Sequence, residues 1–172
     1  MITERDTVAL GPKRVVIFGN SGSGKTTMAM AVSARYGIPH LDLDGLAWSE
    51  PGRRKPVADS AAEIAEFVRS HASWVIEGCY TDLLELVLND ASEAHFLNPG
   101  VEACIDNCRE RPWEPEKHAS KEAQDSLLPF LIDWVKQYAT RTDEYSLEQH
   151  SKLFERFKGR KVEHKRLRDF TF

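Results

Sequence analysis

The sequence predicts an α/β fold, a three-layer sandwich with a mainly parallel sheet. Three observations predict it. Short apolar, β-branched runs (Arg14-Val15-Val16-Ile17-Phe18, Trp74-Val75-Ile76, Ala94–Leu97) alternate with stretches of helical spacing. The first run passes through a glycine- and serine-rich turn, Gly19–Gly24, straight into a helix-favouring segment. The length, 172 residues, is one domain's worth, and a domain of that size buries roughly 70% of its unfolded surface.

Each element has its own warrant. Arg14–Phe18 reads as a buried strand, because β-branched side chains suit a pleated surface. Thr26–Tyr36 carries Met28, Met30, Ala31, Val32 and Ala34, good helix formers, and Gly37 and Pro39 end it. His40–Asp44 predicts a second strand with an acidic end, and residues 49–59 a polar loop around Pro51, Gly52 and Pro56. Ser60 and Glu63 fit a capping box, before Ile64, Phe67 and Val68 on one helical face. Trp74–Ile76 predicts a third strand that ends at Glu77-Gly78, followed by a short helix over Asp82–Asn89. Ala94–Leu97 predicts the fourth strand, and Val101–Arg109 a helix. Residues 110–121 hold charge and two prolines and predict a mobile loop. Leu127, Leu131, Trp134 and Tyr138 share a face of a long helix that Pro129 should kink or start. Ser146 and Gln149 form another capping box, before Leu153, Phe154 and Phe157, and the segment after Gly159 supplies a fifth strand.

Composition narrows the function classes. Hydrophobic residues are 41% and charged residues 29%, a globular mixture. The net charge is −4, which disfavours a globally basic nucleic-acid binder. Residues 152–172 hold eight basic and three acidic side chains, so an acidic body ends in a basic segment. Three unevenly spaced cysteines make no disulfide framework. Met1–Arg14 lacks the apolar stretch of a signal peptide, and no run approaches the roughly 18 apolar residues of a membrane span. A reduced, cytoplasmic protein is the expectation.

Gly19-Asn20-Ser21-Gly22-Ser23-Gly24-Lys25-Thr26 fits G-x-x-x-x-G-K-[ST] at every position. The glycines let several backbone N–H groups converge on one anion, and the following helix adds its positive end. Lys25 brings a full charge to the β- and γ-phosphates of a nucleoside triphosphate, and Thr26 brings a hydroxyl for Mg2+. Thr27 completes the expected nucleotide set. A chance glycine turn with a lysine is the competing view, but a strand before and a helix after supply the required context.

Ligands of open α/β sheets sit beyond the carboxyl ends of the strands. Two of those ends are acidic. Asp42 and Asp44, two apart in extended chain, would point to one side. Glu77 ends the Trp74–Ile76 strand, where it could hold the water shell of Mg2+. Solvated strand ends or helix caps are the plain alternative.

The phosphate loop, the Leu41-Asp42-Leu43-Asp44-Gly45-Leu46-Ala47-Trp48 run, Trp74–Gly78 and the later arginines, in that order, resemble the small P-loop kinases related to adenylate, shikimate and gluconate kinases. The narrowest likeness is to bacterial adenylate-kinase-like proteins, some called topology modulators. The resemblance spans most of the chain and implies a five-stranded parallel sheet in order 2-3-1-4-5. It also implies one domain over residues 1–172, an acceptor-binding segment over about 45–72 and an arginine-bearing lid over about 110–121. Asp42 and Asp44 match a D-x-D in which one carboxylate assists Mg2+ and the other holds the acceptor hydroxyl. Glu77-Gly78 is similar to the Asp-Gly that follows the third strand of nucleoside monophosphate kinases. The triple glycine of shikimate kinases and the Phe-Pro-Arg of adenylate kinases are absent, so neither shikimate nor AMP is supported as acceptor.

Basic residues complete the expectation. Arg109 and Arg111 occupy the place of the family's lid arginines, where cations lower the barrier to phosphoryl transfer, although Glu110, Glu114 and Glu116 could simply pair with them. Arg53, Arg54 and Lys55 follow the D-x-D and could hold an anionic acceptor. Arg160 would reach the adenine or ribose side, as the loop near the last strand does in related kinases. Cys104 and Cys108 share a helix face but lack a second ligand pair, so packing outweighs zinc. Cys79 could line the acceptor pocket, though packing is the plainer role. Trp48, Trp113 and Trp134 look like core or pocket walls, and the six histidines form no cluster. The sequence thus points to an ATP- and Mg2+-dependent kinase of a small molecule, monomeric or homodimeric, with no membrane or nucleic-acid partner. The alternatives are an ATP-dependent regulator without a small-molecule acceptor and a nucleic-acid end kinase.

Overall fold

A computed structural model describes residues 11–50 and 52–168. The start of the Met1–Arg14 segment, Pro51 and the end of the basic 152–172 stretch therefore lie outside the described residues. The main sheet comprises β1 (Arg14–Gly19), β2 (His40–Asp42), β5 (Trp74–Gly78), β6 (Glu93–Leu97) and β7 (Arg160–His164). All neighbours in it run parallel, in the order β2-β5-β1-β6-β7. Counted along the chain without the small hairpin β3 (Trp48–Glu50) and β4 (Arg53–Arg54), that is the expected 2-3-1-4-5.

Period-two alternation sends the β1 side chains to opposite faces. Val15 and Ile17 meet Met28, Ala29 and Val32 of α1 (Lys25–Tyr36) on one face. Val16 and Phe18 join Ile64 of α3 (Val57–Ser70), Leu83 and Leu84 of α4 (Thr81–Leu84) and Leu153 of α7 (Leu147–Arg156) on the other. Fully buried side chains such as Phe18, Trp74 and Leu153 each contribute about 1.5–3 kcal/mol of transfer free energy. A third cluster joins Cys104, Ile105 and Cys108 of α5 (Val101–Arg109) to Leu128, Leu131, Ile132 and Val135 of α6 (Lys121–Lys136). Among the described residues no helix is long and apolar enough to cross a membrane.

Several local expectations are corrected. The second strand stops at Asp42, and Asp44 opens a short helix, α2 (Asp44–Ala47). Residues 49–59 are not simply loop, since they hold the hairpin and the start of α3. Ser60 is no cap: it is buried inside α3 and donates to Leu46 O at 3.0 Å, while Glu63 pairs with Lys55. The helix after Glu77-Gly78 ends at Leu84, well short of Asn89. Pro129 lies inside α6, whose start is capped by Ser120 accepting from Ala123 N–H. Leu127 is half-exposed, and Tyr138 belongs to the 3-10 turn Gln137–Ala139. Two histidines pair, which the sequence did not suggest: His95 and His164, both buried, share a 2.8 Å hydrogen bond across β6 and β7, and His95 meets Glu93. The caps at Ser146 and Gly37 and the bounds of α5 are as the sequence predicts.

Candidate active site

The strand ends meet at the phosphate loop. Gly22 is held at φ +77°, and a Cβ there would lie 2.3 Å from Cys104 O and 2.7 Å from Cys108 Sγ. Glycine is therefore required both for the left-handed turn and for the close approach of α5. Cys104 and Cys108 are buried packing residues beneath this turn. The loop is pinned from outside: Asn20 Nδ2 donates to Val135 O, and Asn107 Nδ2 donates to Gly22 O at 2.8 Å. Ser21 N–H donates to Asn20 Oδ1, and Lys25 Nζ donates to Asn20 O at 2.8 Å. Gly19 closes β1, Gly24 precedes α1 at φ +93°, and Ser23 Oγ is buried without a hydrogen-bond partner. Thr27 is exposed on α1.

A row of oxygen-bearing side chains continues from this loop. Thr26 Oγ1 donates to Glu77 Oε1 at 2.7 Å, and Glu77 is buried. Asp42 stands opposite Glu77 in the β2–β5 register. Burial, then the charges of Glu77 and Asp44, push the Asp42 carboxyl up to about 6. Asp42 and Asp44 do come together, but through a turn rather than an extended strand: Asp44 N–H donates to Asp42 Oδ1 at 2.8 Å. Tyr80 donates to Asp44 Oδ1 at 2.6 Å and accepts from the Trp48 indole at 2.8 Å. Burial works against ionisation of Asp44, but the Tyr80 hydrogen bond and the Lys117 and Lys25 charges outweigh it and lower its pKa. Lys117 Nζ lies 3.3 Å from Asp44 and 3.4 Å from Asp42.

Thr26, Asp42 and Glu77 suit a hard cation such as Mg2+, which takes oxygen ligands. Among the described residues no three His, Cys, Asp or Glu side chains form a metal cage by themselves. A cation here would draw on water and phosphate oxygens as well, as Mg2+ commonly does. Burial pushes the Cys79 thiol up to about 12, so it is no thiolate ligand.

Other expected residues fall further from this row. Arg54 is spent on Asp82, with both carboxylate oxygens within 2.9 Å, and on Tyr145 OH; it lies over the Tyr80 ring. Arg53 is exposed on β4, and Gly78 packs so closely on Leu43 that a Cβ would be 2.9 Å from its Cβ. Arg109 pairs with Asp106, and Arg111 with Glu114. Arg160 is not brought to the loop. It stands at the amino end of β7 opposite Glu93, roughly 13 Å of strand from the end where His164 lies level with Leu97. The turn after β7 does approach, with Leu167 4.0 Å from a Cβ built on Gly24.

The sequence reading missed Lys117, Tyr80, Tyr145 and Arg141. Tyr80, Tyr145 and Trp134 stack edge to face, with Arg141 over Trp134 at 4.2 Å and its Nη1 buried without a hydrogen-bond partner. Trp48 and Trp113 are both exposed rather than core, although the Trp48 indole donates to Tyr80 OH. Only the three-residue offset of Tyr80 from Glu77 offered a signal; the rest are long-range contacts.

No known family profile matches the chain, and no curated protein matches it significantly. Solved structures do. A gluconokinase from Sinorhizobium meliloti aligns with a TM-score of 0.50 and 19% identity, over 88% of this chain and 82% of that one. A shikimate kinase from Bacteroides thetaiotaomicron aligns with a TM-score of 0.45 and 20% identity, over 83% of this chain and 97% of that one. A sugar kinase from Janibacter aligns with a TM-score of 0.46 and 17% identity, over 84% and 91%. The chain shares the fold of the gluconokinase, an α/β sandwich around a five-stranded parallel sheet.

Proposed function

We propose that this protein is an ATP-dependent kinase of a small molecule, with Asp44 as the group that receives the acceptor hydroxyl. The observation that carries the reading is the row Thr26–Glu77–Asp42–Asp44, hydrogen-bonded at Thr26–Glu77 and Asp44–Asp42 and aligned by strand register between Glu77 and Asp42, which gathers a hydroxyl and three carboxylates beside the phosphate loop. A loop that only bound nucleotide would need no carboxylate pair at the next strand end.

The chain's residues divide the work as follows. The loop amides, the start of α1 and Lys25 hold the triphosphate. Thr26, Asp42 and Glu77 would hold Mg2+, which when bound would neutralise charge on the triphosphate. Asp44, kept ionised by Tyr80 and the nearby lysines, accepts a hydrogen bond from the acceptor hydroxyl and takes its proton as the oxygen attacks. Trp48 fixes Tyr80, so the base is aimed before substrate arrives. Arg111, one turn beyond Cys108 and held by Glu114, is placed to move over the transferring phosphoryl with its loop. Arg53, on the exposed hairpin, is the better placed of the two hairpin arginines to meet an anionic acceptor, since Arg54 is already committed.

The test is a screen of sugar acids, nucleoside monophosphates, shikimate and other hydroxylated metabolites for label transferred from the γ-phosphate of ATP. Transfer that one metabolite stimulates supports the reading. Slow hydrolysis that no metabolite stimulates, with a protein partner that binds only in the presence of ATP, favours the regulator instead.

A further inference from the structure

Lys117 sits in the loop between α5 and α6, 73 residues from Asp44. Its Nζ is 3.3 Å from Asp44 Oδ2, 3.4 Å from Asp42 Oδ2 and 3.4 Å from Glu114 Oε1. Asp42 ends β2 and Asp44 begins α2, so one ammonium spans two elements. The ammonium thereby neutralises part of the charge of a carboxylate, Asp42, that a cation at the strand ends would also need.

The loop's other fastenings are local. Trp113 Nε1 donates to His118 O at 3.0 Å, and Glu114 N–H donates to Gln124 Oε1 at 2.8 Å. Lys117 N–H and His118 N–H donate to Glu114 O. These bonds shape the loop and tie it to α6. Among the described hydrogen bonds and ion pairs, those of Lys117 carry it across the cleft to the strand ends. Lys117 and both aspartates keep part of their surface in water, and such pairs are individually weak and easily exchanged.

We propose that Lys117 is the latch of this loop: it closes the resting site by pairing with Asp42 and Asp44, and a divalent cation engaging Asp42 competes with it for that carboxylate. Latch closure and cation occupancy are then alternatives. A cation at Asp42 frees the loop to reopen, and the departing cation lets Lys117 return. The proposal rests on the kinase reading for the natural competitor, Mg2+, but the latch itself stands without it. Lys117 acts here as a positioning residue, through the loop that carries it.

The test is hydrogen exchange by mass spectrometry on the full chain in EDTA, comparing wild type with Lys117→Met and Lys117→Arg. The peptide over residues 110–120 should exchange about tenfold faster in Lys117→Met and at the wild-type rate in Lys117→Arg. Excess MnCl2 should bring wild type to the Lys117→Met rate and leave Lys117→Met unchanged. Nucleotide-free Mn2+ titration by electron paramagnetic resonance should show about tenfold tighter binding in Lys117→Met, because the competing ammonium is gone. Should Lys117→Met fold poorly, Asp42→Asn/Asp44→Asn must release the same peptide without touching the loop. Unchanged exchange in the folded variants, or equal Mn2+ affinity, overturns the latch. Loss of all phosphoryl transfer to metabolites with the exchange and Mn2+ results intact overturns the kinase reading and leaves the latch.

Discussion

Replacing Asp42 with Asn should make the protein more stable at neutral pH while weakening its grip on a cation. The Asp42 side chain is only 26% exposed and shares its surroundings with Glu77 and Asp44. Burial first, and then those two charges, raise its pKa from 3.8 to about 6, although Lys117 and the Asp44 N–H pull the other way. A raised pKa means that the fold favours the neutral carboxyl more than the unfolded chain does. The associated stability is fully present below the unfolded pKa, near 4, and is lost as pH rises through about 6. Two pKa units correspond to roughly 3 kcal/mol, and the part of the side chain in water reduces that to about 2 kcal/mol. Asn has no charge to lose and keeps an oxygen for the Asp44 N–H. Urea denaturation of both proteins in EDTA, from about pH 3.5 to about pH 8, reads the difference. The advantage of Asp42→Asn should grow between about pH 4 and pH 6 and then level off. A variant that is less stable at pH 8, or a difference that ignores pH, would refute the reasoning.

Three other outcomes follow from the geometry. Gly22→Ala must hold a left-handed φ and drive its methyl into Cys104 O, so it should lose about 3 kcal/mol by denaturant melt, whereas Gly45→Ala, with nothing within 4 Å of its Cβ, should change little. His150 is buried between Tyr138 OH and Cys79 O, and burial drives its pKa down to about 3. Its contribution is present above about pH 6.5 and lost as pH falls through 3, so His150→Gln should be less stable at pH 7 yet show a shallower acid decline in the same melts. Tyr80→Phe removes the hydrogen bond that helps hold the Asp44 pKa down, so the acid limb of the transfer rate should move to higher pH, with a matching change in Trp48 fluorescence.

The sheet was legible in the sequence because its signal is local. Alternation in Val15–Phe18, a buried Trp74–Ile76 run and the glycine turn each fix an element without help from the rest of the chain. The phosphate loop was legible for the same reason. The hairpin was not, because Trp48–Glu50 and Arg53–Arg54 are short, polar and largely exposed and carry no apolar pattern. Ser60 has a cap's sequence but a buried side chain's partner, Leu46 O, fourteen residues away. The carboxylate pair was found through a strand alternation that ends two residues too early, at Asp42; the Asp44 N–H to Asp42 bond unites it instead. Lys117 and the His95–His164 pair depend on contacts 73 and 69 residues apart, which no spacing rule can register.

The most direct measurement is transfer of the ATP γ-phosphoryl to a metabolite, run side by side for wild type, Lys25→Ala and Asp44→Asn with nucleotide affinity measured on each. The account predicts transfer in wild type alone. Lys25→Ala should lose most nucleotide affinity, because its charge no longer faces the phosphates, while Asp44→Asn should bind nucleotide nearly as wild type does. Full turnover on the acceptor by Asp44→Asn would contradict the central assignment.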